Sequence, residues 1–150
     1  MKLVWFFLSI IAAFIVHSQV SLLGIAPNLT VVVVYAVGIR SGATKGILSG
    51  SAVGILEDSV SGHILGPNLM GKGMAGFLAS FSSGSPFRWT PLLGMLSLFG
   101  LTLMDGGVVF LSRTIFETPP APIATGVFTV LMQGILNAVI GIFIRPRNAD

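Results

Sequence analysis

Between Leu3 and Ile39 the chain carries no Asp, Glu, Lys or Arg. A helix needs about 20 predominantly apolar residues to cross a bilayer. This run is nearly twice that length, so it reads as two consecutive membrane spans. A water-soluble fold needs a charged surface to stay dispersed, and this stretch has none to offer. The remainder agrees: charged residues make up 9% of the chain and mean hydropathy is +0.95. A soluble domain carries about 25% charged residues.

The run is interrupted at Ala26-Pro27-Asn28. Pro27 has no N–H to give a helix and disfavours helix at Ala26, so a turn is expected there. The Val-rich segment after it would suggest a strand in water. In lipid every backbone polar group must be satisfied within the segment, so helix is the better reading. Further breaks fall at Arg40-Ser41-Gly42, Ser61-Gly62-His63, Ser82 to Pro91 and Arg113 to Pro122. They divide the 150 residues into one integral membrane domain. The expected fold is an all-α membrane protein, a compact bundle of about six transmembrane helices at about 3–23, 29–39, 43–60, 64–81, 92–111 and 123–144. Lys2 followed by an apolar stretch to Val16 imitates a signal peptide. The second apolar run follows almost at once, so it is read as an uncleaved first span.

Basic residues orient the bundle. Six crossings put Lys2, Arg40, Lys45, Arg88, Arg145 and Arg147 on one side. Arg113 and, within a span, Lys72 fall to the other. Cytoplasmic loops carry the Lys/Arg excess, so both termini are expected in the cytoplasm. Five crossings would scatter these charges.

Small or polar residues recur every fourth position, on one helix face. The stripes are Gly46, Gly50, Gly54, Asp58 and Gly62; Gly76, Ser80 and Gly84; Ser9, Ala13, His17 and Ser21; and Thr125, Thr129, Gln133, Asn137 and Gly141. Small residues let membrane helices approach closely. Gly46, Gly50, Gly54, Gly62 and Gly76 are therefore expected to pack helices together. Gln133 and Asn137 are the candidates to face a partner.

The ionisable residues carry more information. At about 1.5 Å per residue, His17, Asp58, Lys72 and Asp105 fall at one level in the outer half of a roughly 30 Å core. Charges at that depth seldom face lipid. A buried polar cluster is expected, with Lys72 paired to Asp58 or Asp105 and His17 nearby. The alternative is that each sits at a helix end or snorkels to the headgroups. Asp58, near a helix terminus and beside Glu57, fits that alternative well, while Lys72 and Asp105 fit it poorly.

Several function classes fall away. There is no cysteine, hence no disulfide, thiolate metal site or Cys nucleophile. The two histidines do not combine with a serine elbow into a hydrolytic triad. His63 reads as a solvated turn residue rather than a metal ligand. No Walker-type loop is present. No basic run with interleaved aromatics suggests nucleic acid. No enzyme and no cofactor are expected.

One stretch has a recognisable pattern. It starts with Pro27-Asn28-Leu29, an apolar span, and Arg40-Ser41-Gly42. A Gly46/Gly50/Gly54 helix follows, ending in Glu57-Asp58-Ser59-Val60-Ser61-Gly62, and then Leu65-Gly66-Pro67-Asn68-Leu69. Over residues 27–73 this resembles the bacterial rod shape-determining protein MreD family. Glu57 and Lys72 depart from the family pattern. The resemblance implies a non-enzymatic scaffold of the cell-wall elongation machinery in the bacterial inner membrane. Such a subunit binds an MreC-like single-span periplasmic protein. Through it, the subunit acts with the actin-like MreB and the peptidoglycan glycosyltransferase and transpeptidase. In six-helix layout, such proteins also resemble the substrate-binding subunits of energy-coupling-factor vitamin transporters. In that reading the four outer-half ionisable residues line a pocket. A vitamin pocket favours Trp and Tyr, and Trp5, Trp89 and Tyr35 are few and lie toward the expected cytoplasmic side.

Overall fold

A computed structural model of the protein describes residues 25–62, 65–83, 89–116 and 122–147. The first expected span at 3–23, with Trp5 and His17, lies outside the described residues, as does His63. The described elements are all helical. They are α1 (Leu29–Ser41), α2 (Ala43–Ser61), α3 (Pro67–Ala79), a 3₁₀ turn (Ser80–Ser83), α4 (Pro91–Phe116) and α5 (Ile123–Gly141).

Local chemistry sets the boundaries. Asn28 caps α1, accepting the Val31 N–H on its side-chain oxygen at 3.3 Å. Val31 to Val34 then continue as helix, each hydrogen bond closed within the segment. Gly42, at φ +86, ends α1 and starts α2, so the two helices join through one residue. Few side chains tolerate that backbone. Pro67 occupies the first turn of α3, where its missing N–H costs nothing. That helix begins three residues later than the sequence suggests, after Gly66 at φ +128. α4 extends past the expected end near 111 to Phe116. Between Gly107 and Pro119 no breaker stops it, so Arg113 lies in its last turn and not in a loop. α5 stops at Gly141, short of the expected 144, and Ile144 folds back into the core.

α4 and α5 are long and apolar enough to cross a membrane, and α1 is apolar but shorter. Large apolar side chains point outward from every helix past α1, among them Leu48, Met70, Leu96 and Ile135. Inside, Val31, Tyr35 and Ile39 of α1 meet Ala75 and Ala79 of α3, Leu98 and Leu101 of α4, and Ile144.

Glycine sets the closest helix contact. α2 and α3 run antiparallel with backbone against backbone. A methyl group on Gly54 would lie 2.5 Å from Leu69 Cα. One on Gly50 would lie 2.6 Å from the Lys72 carbonyl carbon, and one on Gly46 2.7 Å from that of Gly76. A methyl on Gly76 would in turn strike Gly46. Each step of four along α2 moves four back along α3, as antiparallel stripes of small residues must. Gly62 does not belong to this stripe. A methyl there would meet nothing within 4 Å, and its φ of +67 makes it the left-handed cap that ends α2. A second glycine contact joins α4 to α5, where a methyl on Gly141 would lie 3.1 Å from Met95 Cα.

Candidate functional site

The α2–α3 contact fixes what stands at its far end. Lys72 lies one turn beyond Asn68 on α3, and its side chain is fully buried. An ammonium has three N–H donors. Lys72 Nζ reaches Glu57 Oε2 at 2.5 Å, Asp105 Oδ2 at 3.2 Å and Asn68 Oδ1 at 3.1 Å. All three are thereby used on α2, α4 and α3. A charge taken out of water is tolerated only with such complete pairing. Asp105 is 1% exposed, so its charge has equal need of the lysine.

Asp58 is buried too, but it does not join the ion pair. Glu57 does. Adjacent helical residues point about 100° apart, so only one of the two carboxylates can face Lys72. Asp58 instead turns to the start of α3. It accepts the backbone N–H of Gly66 at 2.8 Å, of Asn68 at 3.1 Å and of Leu69 at 3.1 Å. The Asn68 side-chain amide adds a bond at 2.9 Å. Those amides have no partner within the helix, and their partial positive charge favours a carboxylate. Asn68 thus bridges both groups, giving its N–H to Asp58 and its carbonyl oxygen to Lys72.

The network continues through the Pro27 turn. Asn28 Nδ2 donates to Asp105 Oδ2 at 3.1 Å. The Thr30 hydroxyl lies between Glu57 Oε1 and Asn28 Oδ1. From α5, Asn137 Nδ2 donates to the Asn28 carbonyl at 2.9 Å and to Thr102 Oγ1 at 3.0 Å. Gln133 Nε2 donates to the Ala26 carbonyl at 3.3 Å. This corrects the expectation that Gln133 and Asn137 face a partner. The proline break opens backbone carbonyls inside the bundle, and these two amides satisfy them. All five described helices therefore meet in one polar layer. The other oxygen of Asp105 has no hydrogen-bond partner and packs on Gly71, where a methyl would lie 2.5 Å from it.

Beside this layer is a cavity of about 530 Å³. Glu57, Asp105, Asn28 and Thr30 form its polar side, and Val109, Phe110 and Val130 its apolar side. At the opposite end of the bundle, Arg40 Nε donates to the Arg145 carbonyl at 3.2 Å. The Arg145 guanidinium stacks 5.4 Å from the centre of the Trp89 ring.

Over residues 1–145 the chain matches the family described as rod shape-determining protein MreD. It belongs to that family. The match takes in α4 and α5 as well as the 27–73 stretch that carries the resemblance in the sequence. No curated protein and no solved structure matches the chain. Membership in the MreD family makes it a membrane protein of rod shape determination. Glu57 and Lys72 are partners, each a counter-charge of the other. Asn28, Thr30, Asn68 and Asn137 were not singled out for this layer by the sequence. One signal was available. Asn68 and Lys72 are four residues apart, hence on one face of α3.

Proposed function

We propose that the protein is a non-enzymatic scaffold subunit of the cell-wall elongation machinery, which regulates peptidoglycan synthesis by binding an MreC-like single-span partner. Through that partner it acts with MreB and with the peptidoglycan glycosyltransferase and transpeptidase. The observation that carries this reading is the family match over residues 1–145. The polar layer supports it. Its strongest groups are spent on one another: the Lys72 donors are all used, and Asp58 holds a helix end. Such a layer fixes how helices sit and leaves the outward faces for binding. A transmembrane partner then meets apolar side chains such as Leu48 and Leu56 of α2, or the open Gly100 face of α4.

Six crossings, with both termini in the cytoplasm, go with this proposal. What supports the orientation is the gathering of Arg40, Arg145 and Trp89 at one end of the bundle. α1 and α3 have 13 residues each, about 20 Å of helix. The 3₁₀ turn after α3 and the capped turn before α1 lengthen both.

The cavity favours a second reading, a substrate-binding membrane subunit of a vitamin or small-molecule transporter with the matching bundle fold. Its volume lies within the 300–1,000 Å³ usual for ligand pockets. Purification of the tagged protein from its native membrane separates the two. Recovery of a single-span periplasmic coiled-coil protein of the MreC type is expected. Recovery of a pair of ATP-binding cassette subunits instead would overturn the scaffold reading.

A further inference from the structure

The charges around the cavity are arranged unevenly. Glu57 and Asp105 line it, whereas Lys72, which balances one of them, lies behind them and does not. Asp58, on the same helix as Glu57, is satisfied by the amides of α3 and also stays off the wall. The inner wall thus carries two carboxylates against one buried ammonium. An ionised carboxylate has about four lone-pair sites. Glu57 has used one oxygen on Lys72 and the other on Thr30, and its side chain remains 19% exposed. It can accept again.

The opposite wall differs. Val109, Phe110 and Val130 offer apolar surface, and Thr125 and Thr129 line the same side. A threonine in a membrane helix commonly returns its hydroxyl to a carbonyl one turn back, as Thr102 does to Leu98 and Thr114 to Phe110. Thr125 and Thr129 have no such partner among the described residues. Val60, Pro122 and Thr125, also on the lining, are exposed. Arg113 also lies on the lining, two helical turns from Asp105 toward the end of α4.

We propose that this cavity binds a small amphipathic amine, its ammonium on Glu57 and its apolar body against Val109, Phe110 and Val130. A neutral donor would gain only an ordinary hydrogen bond from Glu57, and an anion placed beside Glu57 and Asp105 would face two carboxylates, with Arg113 two helical turns away. A cation adds a charge-assisted hydrogen bond and lowers the net negative charge of the layer. The volume accommodates a drug-sized molecule. The proposal does not depend on whether the protein acts as a scaffold or as a transporter subunit.

The test titrates the full chain, purified in detergent micelles, with phenethylamine and phenylbutylamine, and with the neutral phenylethanol as control. Binding is read by calorimetry and by thermal unfolding. Saturable binding of the amines, but not the alcohol, is expected. Glu57→Gln should weaken amine binding by about tenfold or more, the loss of one charge-assisted contact worth at least about 1.4 kcal/mol. Thr129→Phe fills the cavity without touching an ion pair and should abolish binding, so it decides the matter even if Glu57→Gln fails to fold. No saturable amine binding, equal binding of the alcohol, or wild-type binding by Thr129→Phe would each overturn the proposal.

Discussion

At the scale of single residues, Lys72 is the most consequential side chain. It compensates Glu57 and Asp105 at once and is itself fully buried. Removing one partner of a buried ion pair leaves an unpaired charge, at a cost of about 3–5 kcal/mol. Lys72→Met is expected to destabilise by about that much in detergent unfolding followed by tryptophan fluorescence. The triple variant with Glu57→Gln and Asp105→Asn should regain most of the loss, because neutral groups need no counter-charge. If Lys72→Met unfolds like the wild type, the triad contributes nothing to stability. Asn137→Leu is a milder case. It leaves the Asn28 carbonyl without its donor and is expected to cost about 1–2 kcal/mol in the same assay. The sequence placed Lys72 and Asp105 at one depth, because depth follows from counting along a helix. It did not tell Glu57 from Asp58. Those neighbours differ only in the direction each faces, and that depends on where α3 starts.

At the scale of elements, the glycine stripe of α2 was legible because close packing of membrane helices leaves a four-residue period. Which glycines pack and which turn was less legible. Gly62 continues the period but serves as a left-handed cap, and a period carries no record of φ. The polar stripe of α5 misled for a different reason. Its amides answer carbonyls opened by Pro27, more than a hundred residues away in sequence. Helical glycines at the contact and those facing open space should separate by experiment. Gly50→Leu would force α2 from α3 and draw Lys72 from Glu57, a loss of about 3 kcal/mol or more. Gly100→Ala and Gly107→Ala add a methyl where nothing lies within 4 Å. They should stay within about 0.5 kcal/mol of the wild type. Unfolding midpoints of the three variants in one detergent check the contrast. Equal losses would mean that backbone contact is not what the stripe provides.

At the scale of the whole molecule, the polar layer and the basic end stand at opposite ends of α1. Asn28 and Thr30 join the layer at its start, and Arg40 meets Arg145 at its finish. Four helices, α2 to α5, separate Ser41 from Arg147. If each crosses the membrane, the number of crossings is even and the two residues share a side, whatever precedes residue 25. Under the proposed orientation, in which the Lys/Arg excess is cytoplasmic, that side is the cytoplasm. Leu65 and Phe116, both 68% exposed, follow α2 and end α4 at the other side. Because the chain has no cysteine, single substitutions report cleanly. Leu65→Cys and Phe116→Cys should react with a membrane-impermeant maleimide added to intact spheroplasts. Ser41→Cys and Arg147→Cys should react only after the membrane is permeabilised. Labelling of Arg147→Cys from outside, with Ser41→Cys protected, would require an odd number of crossings between them. One of the short or polar helices would then lie within a single leaflet, and the six-span arrangement would be wrong.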